Sequence, residues 1–505
     1  MSLLGGSVVK ALITVGGPLI SISADEQTPL TGSIVEKITK QLIFTKIKLN
    51  YHRGNLNKHP ERCVLYHIDE QGKIWCHRGW IDKIHGMLLS EGYEVIIKEN
   101  WPPLERHDCY TEDIQALANS LQFRPKQLEC IAAVIARIRD RRGGVVVAPP
   151  AFGKTKLISA LCVLYPKAKI DIITHGNELI EDLYRHVLKL TPDVGVIAKG
   201  SCDKRRITII SDMSLKYADG DADIVFADEV HKLMTDRAVK ELARYDHACM
   251  FGFTATPDTR LDNAHRRMEG LFGPVIFRVD WEEAVRIGVV VPIHVYMLHI
   301  DSGVPVSKYY RSQISMKRFA YWRNATRNRQ IAEAARSFVK AGLQTLILVE
   351  TVEHMVYLKE LLPEFQVCYS NMNLDRPAMK FLRNRGLLEN VPKLSYRDRM
   401  DVKARFENRD IMGCIATTIW TQGVSFDSLQ VLIRADGGYS ETNNQQWPGR
   451  VARIDPKTNK SYGILVDCVD EFDVWTKARS FARLRSYRSN GWQISHHRPS
   501  ETPTV

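Results

Sequence analysis

The chain has 505 residues, 44% hydrophobic and 25% charged, the balance of a soluble protein with roughly three to four domains' worth of core. Its 70 Lys and Arg against 58 Asp and Glu leave a net charge of +12, which favours an anionic partner. No run of about 18 apolar residues argues for a membrane span, and ten scattered cysteines without a Cys-x-x-Cys pair argue against a disulfide framework and for a cytoplasmic compartment.

Residues 1–112 read as a small α+β module. Residues 8–15 form an apolar strand; 10–24 imitate an export signal only in outline, because Gly16-Gly17-Pro18 interrupts the apolar part. A helix is expected over 33–42, with Ser33 and Glu36 as a capping box and Ile34, Val35, Ile38 and Leu42 on one face. Strands over 63–68 and 73–78 flank Asp69-Glu70-Gln71-Gly72 as a hairpin, followed by a short helix over 80–89 and a strand over 93–97. Cys63, His67, Cys76 and His77 could gather around zinc; two facing strands that happen to carry them is the simpler account. Between these elements, residues 46–59 mix Lys, Arg53, Tyr51 and Asn, which suits phosphate contact and base stacking, or equally a solvated loop. Trp101-Pro102-Pro103 marks the way out of the module.

Residues 113–295 alternate short apolar runs (170–174, 207–210, 224–227, 250–253) with helical patterns such as 178–190, the rhythm of a doubly wound parallel sheet. The rhythm returns from 331 to about 468, with strands at 345–350, 413–417, 431–433 and 463–467, in a second lobe over 331–505 that follows a linker at 296–330 and ends in a basic helix. A buried strand over 143–147 runs into Ala148-Pro149-Pro150-Ala151-Phe152-Gly153-Lys154-Thr155 and then a helix with Leu157, Leu161 and Leu164. Strand, tight loop, Gly-Lys-Thr and helix is the setting of a phosphate-binding loop. Backbone amides meet phosphate oxygens, Lys154 reaches the β- and γ-phosphates, and the Thr155 hydroxyl ligates Mg²⁺. Ala148 stands where a glycine is usual, so a chance βα turn is the competing account of the octet taken alone.

After the strand at 224–227 comes Asp228-Glu229-Val230-His231. Asp228 can hold the Mg²⁺ shell while Glu229 polarises an attacking water, although an Asp-Glu pair on a loop is often merely solvated. Thr254-Ala255-Thr256-Pro257 ends the next strand and either relays nucleotide state or caps a turn. Farther on lies Gln446-Trp447-Pro448-Gly449-Arg450-Val451-Ala452-Arg453. If helical, it presents Arg450 and Arg453 on one face as arginine fingers; otherwise they are a basic surface pair.

The order Phe123-Arg124-Pro125-Lys126-Gln127, phosphate loop, Asp-Glu-x-His, Thr-Ala-Thr and Gln-x-x-Gly-Arg-x-x-Arg resembles a superfamily-two helicase over residues 120–470. The resemblance implies two tandem RecA-like lobes, ATP with Mg²⁺, and a DNA helicase or translocase. It implies that Gln127 reads adenine with Phe123 or Arg124 stacked nearby, that Gly423 belongs to the nucleotide site, and that His231 and Gln446 couple the lobes. Thr254 and Thr256 would link hydrolysis to DNA movement, and Thr174, Ser214 and Thr417 would grip a strand. The stretch Thr174-His175-Gly176-Asn177 departs from the family's Pro-Thr-x-x-Leu wording. Phe272-Gly273-Pro274-Val275, Gly423-Val424-Ser425-Phe426 and Tyr51-His52-Arg53-Gly54-Asn55 are similar to the phage UvsW type, which implies forked or branched DNA as partner and branch migration by a monomeric motor in the host cytoplasm. A duplex translocase that does not unwind, or an RNA helicase, fits the same motifs.

Two basic stretches lie outside the motifs. Residues 371–394 lengthen a connection and carry Arg383 and Arg385, as a branched-DNA contact or a solvated insertion. Residues 476–493 hold Lys477, Arg479, Arg483, Arg485 and Arg488 with no acid, interleaved with aromatics that would dock the helix while the cations face phosphates. Residues 489–505 read as a frayed tail.

Overall fold

The computed structural model describes residues 9–52, 55–99, 111–198, 200–255, 264–370, 376–389, 391–420, 426–455 and 460–497. Two compact units emerge, residues 1–50, 58–148 and 153–279 forming the first and 51–57, 149–152 and 280–505 the second.

The chain begins with strands β1 (Lys10–Gly16), β2 (Leu19–Ser23), β3 (Ile43–His52), β4 (Asn55–Val64), β5 (Tyr66–Ile68), β6 (Ile74–His77) and β7 (Glu94–Glu99). Five of them form a sheet in the order β5-β6-β2-β1-β7, while β3 and β4 pair as a separate ladder. Residues 46–59 therefore lie largely in a ladder rather than a loop, and Arg53 falls outside the described residues. Helices Ser33–Gln41 and Ile81–Ser90 cover the sheet, with Ile34, Ile38, Ile84 and Leu88 packed against Ile13, Val15, Ile20 and Ile22. The Ser33–Glu36 capping box does not form. Gly32 takes the cap position at φ 76°, a conformation open to glycine, so Ser33 is already inside the helix and no side chain caps it.

This small sheet shares its unit with the first large sheet. Arg78, 7% exposed, donates to the Asp246 carbonyl at 3.2 Å and to that of Ala248. Gly79 packs so closely that a Cβ would lie 2.2 Å from the Glu269 carbonyl oxygen. Arg137 meets Asp82 at 2.5 Å and Arg142 meets Glu99 at 2.6 Å across the same junction.

The large sheet contains β8 (Gly144–Val147), β9 (Ile170–Thr174), β10 (Val194–Ala198), β11 (Ser201–Cys202), β12 (Ile207–Ser211), β13 (Ile224–Asp228), β14 (Cys249–Thr254) and β15 (Val275–Arg278). Its order is β11-β10-β12-β9-β13-β14-β8-β15, parallel throughout except for the β10–β11 hairpin. Strands β9, β12 and β13 are buried at every residue, which is why they are rich in Ile, Val and Phe, with Asp171 the one charged residue in their interiors. The ends of β8, β13 and β14 lie side by side, and that adjacency builds the site.

The second unit repeats the plan with β16 (Ile293–Ile300), β17 (Thr345–Leu348), β18 (Gln366–Cys368), β19 (Gly413–Ala416), β20 (Val431–Arg434), β21 (Gly463–Asp470) and β22 (Gln493–His497). All pairs are parallel, in the order β18-β19-β17-β20-β21-β16-β22. Two elements depart from expectation. β16 straddles the expected boundary at 295/296 and part of the expected linker, yet it pairs with β21 from Ile293↔Gly463 to Ile300↔Asp470. β22 occupies part of the expected frayed tail and pairs with β16. Both carry polar and aromatic residues on alternate positions (His294, Tyr296, Ser495, His497), which hides them from a search for apolar runs.

Candidate nucleotide-binding site

β8 delivers the chain to Ala148, whose N–H donates to the Thr254 carbonyl at 3.0 Å. In the loop, the Phe152 N–H donates to the Pro149 carbonyl at 3.2 Å; Ala151 sits at φ 69° and Gly153 at φ 97°. These left-handed residues bend the loop so that helix Lys154–Leu164 starts with no side chain capping its first amides, the arrangement that receives phosphate oxygens. Gly153 is required twice over. Besides its φ, a Cβ there would lie 2.6 Å from Gln127 Nε2 and 3.1 Å from an Arg124 terminal nitrogen. Gln127 is fully buried, and its Oε1 accepts the Arg124 N–H at 2.8 Å. The Lys156 ammonium lies 5.5 Å from the centroid of the half-buried Phe123 ring. Phe123, Arg124 and Gln127 thus stand at the start of the phosphate-loop helix. Lys154 is 8% exposed and its Nζ donates to the Ala148 carbonyl at 3.1 Å.

Asp228 ends β13 and is 4% exposed. Its Oδ1 accepts the Glu229 N–H at 3.0 Å, and Glu229 itself adopts φ 50°. Holding a non-glycine residue there costs about 1 kcal/mol, a strain that aims two successive carboxylates out of one strand end. Burial, and then the neighbouring Glu229, push the Asp228 carboxyl up to about 7, against the pull of Lys154. A buried carboxyl that needs more positive charge than Lys154 supplies suits a divalent cation, and the Asp228 carboxylate with the Thr155 hydroxyl fits Mg²⁺ held by triphosphate. His231 Nδ1 lies 2.9 Å from Thr254 Oγ1 and 3.4 Å from Glu229 Oε2. The first unit therefore brings together Lys154, Asp228, Glu229, His231 and Thr254; Thr256 lies outside the described residues.

In the second unit, helix Glu441–Gln446 ends at the half-buried Gln446, and Pro448–Arg450 is a single 3₁₀ turn. Pro448 halts the α-helix, so Arg450 and Arg453 do not share one helical face as expected; Arg453 follows the turn. Arg453 meets Asp427 at 3.3 Å in a partly exposed pair worth about 0–1 kcal/mol. Thr417, 7% exposed, follows β19, and Gly423 lies outside the described residues.

The proposed strand contacts divide sharply. Thr174, at the end of β9, is fully buried, its hydroxyl has no partner among the described residues, and it offers no surface to a strand. Ser214 is half-buried on the turn Asp212–Tyr217. Beside it, His175 Nδ1 lies 2.8 Å from Asp212 Oδ2, a pair that marks where the family wording is lost. Arg383 and Arg385 are exposed, Arg385 lying 4.9 Å from the Phe381 ring centroid. Arg479 is half-buried between the rings of Trp475 (4.0 Å) and Tyr439 (4.9 Å). Arg483 cannot meet a phosphate. It is fully buried, with Nε bonded to Asp467 Oδ2 at 2.7 Å, because it shares the inner face of helix Val474–Ser489 with Thr476, Ser480 and Tyr487. The exposed cations of that helix are Lys477, Arg485 and Arg488. Among the described residues no group of three or more His, Cys, Asp or Glu is placed to hold a metal ion; His67 stacks on Trp75 instead. No helix among the described residues is long and apolar enough to cross a membrane.

Residues 120–259 match the family model of the Type III restriction enzyme, res subunit. The protein named "Putative helicase 22" of Sulfolobus islandicus filamentous virus (isolate Iceland/Hveragerdi) is 22% identical over 406 residues, covering 72% of this chain and 67% of its own length. Among solved structures, S. cerevisiae Dbp5 bound to Gle1 aligns over 77% of this chain and 92% of its own, at 11% identity and a TM-score of 0.50. T4 UvsW aligns over 97% of this chain and 99% of its own, at 13% identity and a TM-score of 0.42. Lys154, Asp228, Glu229, His231 and Thr254, set at adjacent strand ends, all lie within the matched residues 120–259, so it is over this stretch that the chain is similar to the restriction-enzyme res subunit.

Proposed function

We propose that the protein hydrolyses ATP with Mg²⁺ to move along DNA and part strands at forks and branched junctions, with branch migration as its task. The observation that carries this is the adjacency of Lys154, Asp228, Glu229, His231 and Thr254 at the ends of β8, β13 and β14. Lys154 and the amides of its helix bind the β- and γ-phosphates, and Gln127 with Phe123 or Arg124 holds the adenine. Glu229 takes a proton from the attacking water. Thr155 and Asp228 hold Mg²⁺, which when bound neutralises charge on the phosphate oxygens. Arg450 and Arg453 act as arginine fingers on the transferring phosphoryl group, and Gln446 couples their unit to turnover. Ser214 and Thr417 grip one strand, while Arg479, Arg383, Arg385 and the exposed Lys477, Arg485 and Arg488 meet phosphates. The UvsW-like wording around residues 51–55, 272–275 and 423–426 supports branched DNA as the substrate. The motor is a monomer working in a host cytoplasm.

A second reading, movement along duplex DNA without strand separation, is favoured by the match to the restriction-enzyme res subunit. Two assays on the same preparation separate them. Release of a labelled strand from a forked duplex supports the helicase, whereas displacement of a third strand from an otherwise intact triplex, with no release from the fork, supports the translocase. RNA forks in parallel test the choice of nucleic acid.

A further inference from the structure

The second unit contains a buried ionic hub that none of the roles above uses. Arg434 ends β20 with no exposure, and all of its N–H groups are engaged. Its Nε donates to Asp436 Oδ1 at 3.0 Å. One terminal nitrogen donates to Asp436 Oδ2 at 3.1 Å and to the Gly438 carbonyl at 3.2 Å. The other donates to Asn444 Oδ1 at 2.6 Å and to the Tyr487 hydroxyl at 3.0 Å. Tyr487 in turn donates to Asp467 Oδ2 at 2.7 Å, the same oxygen that accepts Arg483 Nε. The guanidinium carbon of Arg434 also lies 5.1 Å from the centroid of the Trp447 ring.

Three elements meet at this one side chain. Asn444, 1% exposed, lies in helix Glu441–Gln446, and Trp447, 4% exposed, follows it directly; Arg450 is the next cation along the chain. Tyr487 and Arg483 belong to helix Val474–Ser489, whose outer face carries Lys477, Arg485 and Arg488. Burial works against the charge on Arg434, and the Asp436 carboxylate more than offsets it; in return Arg434 overcomes the burial of Asp436 and pulls its pKa down to about 2. Ionic hubs of this kind are a weak source of stability, since apolar side chains of equal volume often serve as well. What a planar fork with every donor satisfied supplies is geometry, because each partner can sit in only one place.

We propose that Arg434 is a positioning residue for the arginine-bearing segment. Through Asn444 and Trp447 it fixes the turn that presents Gln446, Arg450 and Arg453, and through Tyr487 it ties that turn to the inner face of helix Val474–Ser489. The inference rests on the reading of Arg450 as a phosphate contact, and the test keeps the two apart.

Full-length Asn444→Ala, Asn444→Asp, Tyr487→Phe and Arg450→Ala are compared with wild type for DNA-stimulated ATP turnover, and ATP-binding stoichiometry counts intact sites. Asn444→Ala and Tyr487→Phe are expected to lower kcat by about tenfold with KM for ATP within about threefold and unchanged stoichiometry. Asn444→Asp, which keeps an acceptor for Arg434, is expected to recover at least half of the lost rate. Loss of kcat that follows a loss of binding sites, or no recovery in Asn444→Asp, overturns the positioning role. Should Asn444→Ala fail to fold, Tyr487→Phe decides alone. Full turnover in Asn444→Ala and Tyr487→Phe beside an inactive Arg450→Ala removes this proposal and leaves the finger reading standing. Full turnover in Arg450→Ala removes the finger reading, and this proposal with it.

Discussion

His231 Nδ1 and Thr254 Oγ1 lie 2.9 Å apart, and both side chains are buried. That bond joins the turn after β13 to the end of β14, so a shift of the carboxylate strand is felt at the threonine strand. Thr254→Val keeps the shape and removes the hydroxyl. It is expected to cost about 0.5–1.5 kcal/mol of stability for the lost hydrogen bond to His231. ATP should still bind, while stimulation of turnover by DNA falls; stopped-flow nucleotide binding and steady-state rates check the two halves.

Lys154 and Glu229 divide binding from chemistry. Lys154→Ala is expected to abolish turnover by removing the charge beside the phosphates. Glu229→Gln is expected to reduce kcat by about 10²–10⁴-fold while still binding ATP, because only the proton acceptor is lost. Filter binding with labelled ATP beside phosphate-release kinetics reads both outcomes.

Acid sensitivity of the second unit is expected to come in part from His354. The ring is fully buried, with Nε2 2.9 Å from Asn328 Oδ1, and burial, ahead of the Arg327 charge, holds its pKa well below the ordinary value. The unfolded chain takes up a proton near pH 6.5 that the folded chain refuses, so stability falls as pH drops through that value, by about 1.4 kcal/mol for each unit below it. His354→Gln removes the titration. Its denaturation midpoint should change less than that of wild type between pH 7.5 and pH 5.5, as measured by urea unfolding.

Arg483 and Arg485 are two residues apart and should behave oppositely. Arg483→Ala leaves the buried Asp467 without its cation and is expected to cost about 3–5 kcal/mol of stability. Arg485→Ala, on the exposed face, should leave the fold intact and lower the salt dependence of DNA binding by about one counterion. Thermal melts and affinity titrations at several salt concentrations distinguish them.

Most of the parallel sheets can be read from the chain because strands such as 170–174 and 224–228 are buried on both faces and are therefore mostly apolar, Asp171 being buried among the isoleucines of the first. The residues that end them, Thr174, Asp228 and Thr254, follow from those runs. Local pattern is silent where one side chain obeys a distant partner. Arg483 looked like a surface cation, yet Asp467 and Asp470 sit inside the fully buried strand Gly463–Asp470 and require cations, which Arg483 and Arg327 supply. Arg450 and Arg453 would share one face only if their segment were helical, and Pro448 ends the α-helix before either. Ser33 lost its capping role to Gly32, a choice local pattern cannot rank.

If this chain converts ATP turnover into work on branched DNA, the rate of ATP hydrolysis depends on the nucleic acid offered. Turnover is measured without nucleic acid and with single-stranded, duplex, forked and four-way DNA at one salt concentration, beside Glu229→Gln. The expected result is stimulation of about tenfold or more, greatest on forked or four-way DNA and absent in Glu229→Gln. A rate indifferent to every nucleic acid, or one that survives in Glu229→Gln, contradicts the account.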